Sequence, residues 1–176
     1  MDFIDLVNSR HSVRAFKNKE VPDTLISKIL DALRKAPSAG NLQSYEVVIV
    51  KSEEGRDALS VACHDKLCIN ESPVVLVFLA DLMKSSSRYA ERGRGLYAVQ
   101  DATIACAYAQ LMASEVGLGS VWIGSFDEER VKKVVNSLDL RPIALLPIGY
   151  PNENSYVTPR REVKEFVHKE RFAKKS

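Results

Sequence analysis

The stretch that most restricts how this chain can fold runs from about residue 96 to 116, LYAVQDATIACAYAQLMASEV. It is long enough for a central helix and stops at Gly117 and Gly119. Small residues (Ala98, Ala102, Ala105, Ala107, Ala109 and Ala113) fill much of its surface, with Gln100, Thr103, Cys106, Gln110 and Ser114 interspersed. A helix that is apolar around most of its circumference must be covered on all sides. A chain of 176 residues can bury roughly 70% of its unfolded surface. Either the chain wraps this helix by itself, or a second subunit completes the cover. The small size of the chain favours a second subunit.

The other elements follow from periodicity. Asp2 can cap a first helix whose apolar face is Phe3, Ile4, Leu6 and Val7. Pro22 and Asp23 open a second, with Leu25, Ile26, Ile29, Leu30 and Leu33 on one face, and Pro37 closes it. YEVVIVK (45–51) and PVVLVFLA (73–80) read as strands, the latter apolar on both faces and therefore central. Between them EEGRDALSVACH predicts a short helix despite Gly55. Residues 84–95, KSSSRYAERGRG, are polar and predict the most mobile segment. SVWIG predicts a third strand, DEERVKKVVNSL a helix capped near Asp127, and PIALLPIGYP (142–151) a fourth strand. The tail from about 152 is polar with one amphipathic piece, EVKEFVHKERF. Helices interleaved with short apolar strands predict an α/β or α+β class in three layers, as one domain over 1–176 with a C-terminal arm.

Composition narrows the functional classes. A net charge of +2 argues for no nucleic-acid partner. No apolar run reaches membrane-spanning length, and MDFIDLVNSR does not resemble a secretory leader. Three cysteines, an odd number, predict a reducing, cytoplasmic setting rather than a disulfide framework.

Few residues announce chemistry by themselves. In RHSVRAF, Arg10 and Arg14 could form an anion pocket with donors from His11 and Ser12 between them. Solvated surface charge is the commoner outcome for such a stretch. TPRRE adds Arg160 and Arg161, and APSAGNLQS offers a backbone that a planar ligand could approach. By composition that loop is a helix-terminating turn. VGLGSVWIGSF is not a dinucleotide fingerprint, because its glycines end a helix and precede a strand. Cys63, His64 and Cys68 do not have zinc spacing, so no metal is expected. Buried, unreactive cysteine is the simpler reading.

Taken in order, RHSVRAF, APSAGNLQSYEVVIV, ESPVVLVFL, YAVQDATIACAYAQLMASEVGLGSVWIGSF, LLPIGYP and TPRREVKEFVHKERF resemble the flavin-dependent nitroreductase family over nearly the whole chain. The resemblance implies an α+β sandwich, a mostly antiparallel sheet flanked by helices, and an intertwined homodimer holding FMN at the interface. It places Arg10 and His11 at the FMN phosphate, Ser12 at the ribityl chain and Arg14 at the pyrimidine side of the ring. A cation there favours negative charge on the reduced ring and raises its potential. Arg160 and Arg161 match the family's C-terminal phosphate-binding residues. Pro37, Ser38, Ala39 and Asn41 would touch the FMN of the other subunit. Trp122, Ile123, Gly124 and Ser125 would lie along the ring, with backbone N–H groups directed at N5 and O4.

The implied activity is ping-pong hydride transfer. NADH or NADPH reduces the flavin at N5 and leaves, and an electron-poor small-molecule acceptor such as a nitroaromatic or a quinone then takes the electrons. No catalytic side chain is required. The same fold can also host reductive dehalogenation or oxygen-dependent flavin breakdown, and a non-enzymatic flavin-binding module is the alternative of a different class. Three features depart from the family pattern. Ser44 and Tyr45 stand where many members have Pro and Trp, Gly124 stands where some have an acidic residue, and the segment covering the substrate is shortened to about 84–97.

Overall fold

The computed structural model describes residues 2–154 and 158–172. Four strands, β1 (Tyr45–Val50), β2 (Val74–Ala80), β3 (Gly119–Ser120) and β4 (Arg141–Gly149), form one sheet in the order β1-β2-β4-β3. All three pairings are antiparallel. β2 is central and every one of its residues is buried, as its doubly apolar sequence requires.

Side chains alternate across the two faces of the sheet. Val74, Leu76 and Phe78, with Ala144, Leu146 and Ile148, pack against α2 (Asp23–Leu33) and α6 (Ala98–Glu115). Val75, Val77, Leu79 and Leu145 face the other way, onto α3 (Glu53–Ala62), α4 (Leu67–Glu71) and α7 (Glu128–Val134). The result is three layers and an α+β class with an antiparallel sheet.

Side-chain caps start the helices where the sequence places them. Asp2 accepts the Asp5 N–H at 3.0 Å and opens α1 (Phe3–Ser9). Asp127 accepts the Arg130 N–H at 3.0 Å and opens α7. Gly117 ends the long helix with a left-handed φ of +78°.

Two expectations need correction. Residues 84–95 are not an open segment: α5 (Leu82–Arg92) occupies them and a π-turn, Gly93–Tyr97, feeds directly into α6. Asp81 caps α5 through the Lys84 N–H at 2.8 Å. Ser85 is fully buried, and a Cβ on Gly93 would lie 2.4 Å from its carbonyl oxygen, so glycine lets this turn close. Tyr89 and Tyr97 then meet edge-on at 5.1 Å. The polar composition hides this, because the fully buried positions are Ser85 and Gly93.

The SVWIG strand is also shorter than expected. Its ladder with β4 covers Gly119 and Ser120, followed by one isolated bridge from Ile123 to Leu145. The Val121 N–H donates to the Pro147 carbonyl at 3.4 Å. Pro147 has no N–H to return the bond, so the ladder breaks there.

The long helix is buried on one side only within its own chain. Ala98, Ala102, Ala105, Ala109 and Ala113 are fully buried. Gln100, Ala107 and Tyr108, on its other side, are exposed.

Candidate functional site

The RHSVR segment begins where α1 ends. Arg10 caps that helix in extended conformation, and the next residues run beside β3. Ser12 bridges Ser120 in parallel, and the Val13 N–H donates to the Ser120 carbonyl at 3.0 Å. Val13 is buried and seated on Gly119, where an added Cβ would lie 2.7 Å from Val13 Cγ2. With Val13 pointing inward, strand alternation turns Ser12 and Arg14 to the opposite side. The far end is tied down as well. The Arg14 N–H donates to Glu153 at 2.9 Å, and the Asn152 N–H donates to the Ala15 carbonyl at 2.9 Å.

Several polar groups here have no protein partner. His11 donates Nδ1–H to the Ser9 carbonyl at 2.9 Å, and its Nε2 is buried and unbonded. Ser120 Oγ, on the neighbouring strand, is buried and unbonded too. Among the described residues no carboxylate forms an ion pair with Arg10 or Arg14. Buried polar groups are almost always satisfied, so this set reads as a receptor for an anionic, hydrogen-bonding ligand.

β3 leads into the second component. Ile123 exchanges both main-chain bonds with Leu145, at 2.9 and 3.0 Å. That fixes Trp122, Ile123, Gly124 and Ser125 at the end of the sheet. Trp122 is half-buried against the core, and Gly124 lies 3.2 Å from its indole nitrogen, measured from where a Cβ would sit. Gly124 and Ser125 are exposed, and among the described residues their main-chain N–H groups donate to nothing.

The third component is the loop after α2. Pro37 is exposed, Ser38 and Ala39 are half-buried, and Asn41 is exposed. Gly40, Asn41 and Gln43 all have left-handed φ, +55°, +57° and +50°. Ser38 Oγ accepts the Gln43 N–H at 3.0 Å and the Gln43 side chain donates to Asn41 Oδ1 at 3.1 Å. Asp101 on α6 accepts from the N–H groups of Ala39 and Ser44, at 2.9 and 3.3 Å. From outside, Arg88 donates to the Gly40 carbonyl and Lys84 to the Gln43 carbonyl, both at 3.3 Å.

The structure thus brings Arg10–Arg14 beside 120–125. No hydrogen bond or ion pair among the described residues joins either to the 38–44 loop. Arg160 donates to the carbonyls of Thr158 and Pro159, and Arg161 stacks on Phe166 at 5.3 Å, so both keep to the C-terminal arm. The cysteines are free and buried. Burial, with a smaller contribution from Cys68, pushes the Cys63 thiol up to about 12. It pushes Cys106 up as well. Neither is a nucleophile at neutral pH.

The sequence profile of the nitroreductase family matches residues 7–70 and 67–150. This chain belongs to the nitroreductase family. An NADH dehydrogenase of Thermus thermophilus is 30% identical over 186 residues, covering 90% of this nitroreductase chain and 91% of its own. An FMN reductase [NAD(P)H] of Bacillus subtilis is 27% identical over 97% of this chain and 74% of its own. Among solved structures, an FMN-dependent nitroreductase from Clostridium difficile superposes with a TM-score of 0.83 at 26% identity, covering 97% of this chain and all of the other.

Sequence reasoning passed over Asp101, Lys84, Arg88 and Ser120 in this nitroreductase. Asp101 carried a usable signal. It is an acidic residue within an otherwise apolar, Ala-rich helix, and such a carboxylate needs partners.

Proposed function

We propose that this nitroreductase is an FMN-dependent oxidoreductase that takes hydride from NADH or NADPH and reduces an electron-poor small molecule such as a nitroaromatic or a quinone. The observation that carries the proposal is the group of unsatisfied polar atoms on 10–14 and 120–125. The buried His11 Nε2, the buried Ser120 Oγ and the open N–H groups of Gly124 and Ser125 fit a ligand with a phosphate and a hydrogen-bonding planar ring. The named relatives support the choice of FMN and NAD(P)H.

Arg10 and His11 bind the phosphate in this reading, with Arg160 and Arg161 brought in from the arm. His11 donates Nδ1–H to Ser9, so only its imidazolium form has an Nε2–H to give to a phosphate oxygen. Ser12 faces the ribityl chain and Arg14 holds positive charge near the pyrimidine edge. Trp122, Ile123, Gly124 and Ser125 line the ring, the last two through N–H groups that favour negative charge at N5 and O4. Pro37, Ser38, Ala39 and Asn41 cover the FMN bound by the other subunit. Bound FMN supplies the two-electron chemistry, so no side chain has to act as nucleophile or general base.

The shared site requires a homodimer. Its support lies in what one chain leaves uncovered. The far side of α6 is open, and Phe3, Ile4 and Val7 on α1 are 67%, 63% and 43% exposed. The arm, which carries α8 (Val163–Phe166), exposes Val163, Phe166, Val167 and Phe172. Patches of this kind mark interaction surfaces. We read 1–176 as one FMN-binding domain with an arm from about 152. No described helix is long and apolar enough to cross a membrane, and three free thiols fit the reducing cytoplasm. Arg14→Ala tests the assignment. Loss of a charge-assisted contact predicts FMN affinity at least tenfold weaker, or a lower flavin potential, with the protein still folded. Unchanged affinity and potential would remove Arg14 from the site.

A further inference from the structure

The 38–44 loop is held in a conformation it would not adopt unaided. Three of its residues have left-handed φ, and two of them, Asn41 and Gln43, are not glycine. Asparagine tolerates this region, whereas a glutamine there is strained. Such strain persists only where surrounding structure over-determines it.

The over-determining contact comes from α6. Asp101 is 2% exposed. Its Oδ1 accepts the Ala39 N–H at 2.9 Å and its Oδ2 accepts the Ser44 N–H at 3.3 Å. These donors flank the three left-handed residues, so one carboxylate holds both ends of the strained turn. Among the described residues no cation forms an ion pair with it. Burying a carboxylate with only main-chain donors is costly, and removing it would leave the Ala39 and Ser44 N–H groups without their acceptor. On the outside of the loop, Arg88 and Lys84 hold the carbonyls of Gly40 and Gln43. The inner hook takes N–H groups and the outer pair takes carbonyls, and the side chains between them belong to the proposed FMN cover.

We infer that Asp101 is a positioning residue for the flavin: it fixes Ser38, Ala39 and Asn41 in the geometry that meets FMN across the subunit interface. It acts through the loop and touches no cofactor itself. The inference rests on the proposed FMN site.

Asp101→Asn is the direct test. The amide keeps the shape, but its Nδ2 meets an N–H donor where an oxygen stood, so one hydrogen bond is lost and two donors face each other. FMN titration of apoprotein, read by flavin fluorescence, is expected to show at least a tenfold rise in Kd. The visible circular dichroism of bound FMN should change, while the apoprotein melts within a few degrees of wild type. Equal Kd and an equal flavin spectrum overturn the inference. So does a variant that merely melts lower while its folded fraction binds FMN normally, because that is a structural role only. Should Asp101→Asn not fold, hydrogen exchange on the wild-type protein decides. The amides of Ala39 and Ser44 are expected to be strongly protected, and exchange at open-loop rates overturns the inference. A wild-type protein that refuses FMN removes the proposed function itself, an outcome separate from either result for Asp101.

Discussion

Gly119→Ala is a one-methyl change that should reach the proposed cofactor segment. A Cβ at 119 would lie 2.7, 2.8 and 2.9 Å from Val13 Cγ2, Cβ and Cγ1. All three distances are below what carbon atoms tolerate, and Val13 is only 1% exposed, so it has no free space to enter. Either β3 separates from the 12–14 segment, breaking the Val13 N–H bond to Ser120, or Val13 shifts and carries Ser12 and Arg14 with it. Overpacking of this kind costs about 1–3 kcal/mol. In a domain of this size that lowers Tm by roughly 2–4 °C per kcal/mol.

Val13→Ala alone removes two buried methyl groups and should cost about 2 kcal/mol. In the double variant the new methyl at 119 moves toward the space those groups vacate. The pair should therefore be less destabilised than the sum, by about 1 kcal/mol. Equilibrium urea unfolding of the four proteins, at one protein concentration and without added FMN, measures the cycle. FMN titration then reads the effect on the site, which should be weaker in Gly119→Ala and partly recovered in the double variant. A Gly119→Ala protein within about 0.5 kcal/mol of wild type, or strict additivity, would refute the packing argument.

Other consequences can be measured separately. The folded protein holds the Cys63 proton up to about pH 12, whereas the unfolded thiol ionises near its ordinary 9.0. Stability is therefore full below pH 9 and falls above it, by about 1.4 kcal/mol per pH unit for this group, so Cys63→Ala should flatten part of the alkaline loss in urea midpoints taken from pH 8 to 11. Ile4→Asp puts a charge on the exposed apolar face of α1 and should shift the protein toward monomers in light scattering, with FMN released. A stable dimer in that variant would place the interface elsewhere.

Much of the fold was legible because local rules and packing agree. β2 reads as central from its uninterrupted apolar run, and it is paired on both sides. Asp2 and Asp127 read as caps and act as caps. α5 was not legible, because its fully buried residue is a serine and its sequence carries no apolar stripe. The truncation of the third strand lies in its neighbour's sequence: Pro147 is visible there, but not that it would face Val121. At the site, the residue types of RHSVR suggested an anion pocket, while their seat beside Ser120 is a tertiary contact that no local pattern encodes. The family resemblance assigned RHSVR to FMN without naming Ser120 as its neighbour. Asp101 was visible as an anomaly in its helix, but its partners lie across a loop with three left-handed residues that composition alone does not reveal.

The central claim is that this chain carries reducible FMN. The most direct measurement is the visible spectrum of the purified protein after FMN loading, followed by anaerobic addition of NADH or NADPH. The account predicts a bound flavin spectrum, one FMN per chain, that bleaches on addition and recovers when a quinone or nitroaromatic is supplied. A protein that retains no FMN, or a bound flavin that neither nicotinamide cofactor reduces, would contradict it.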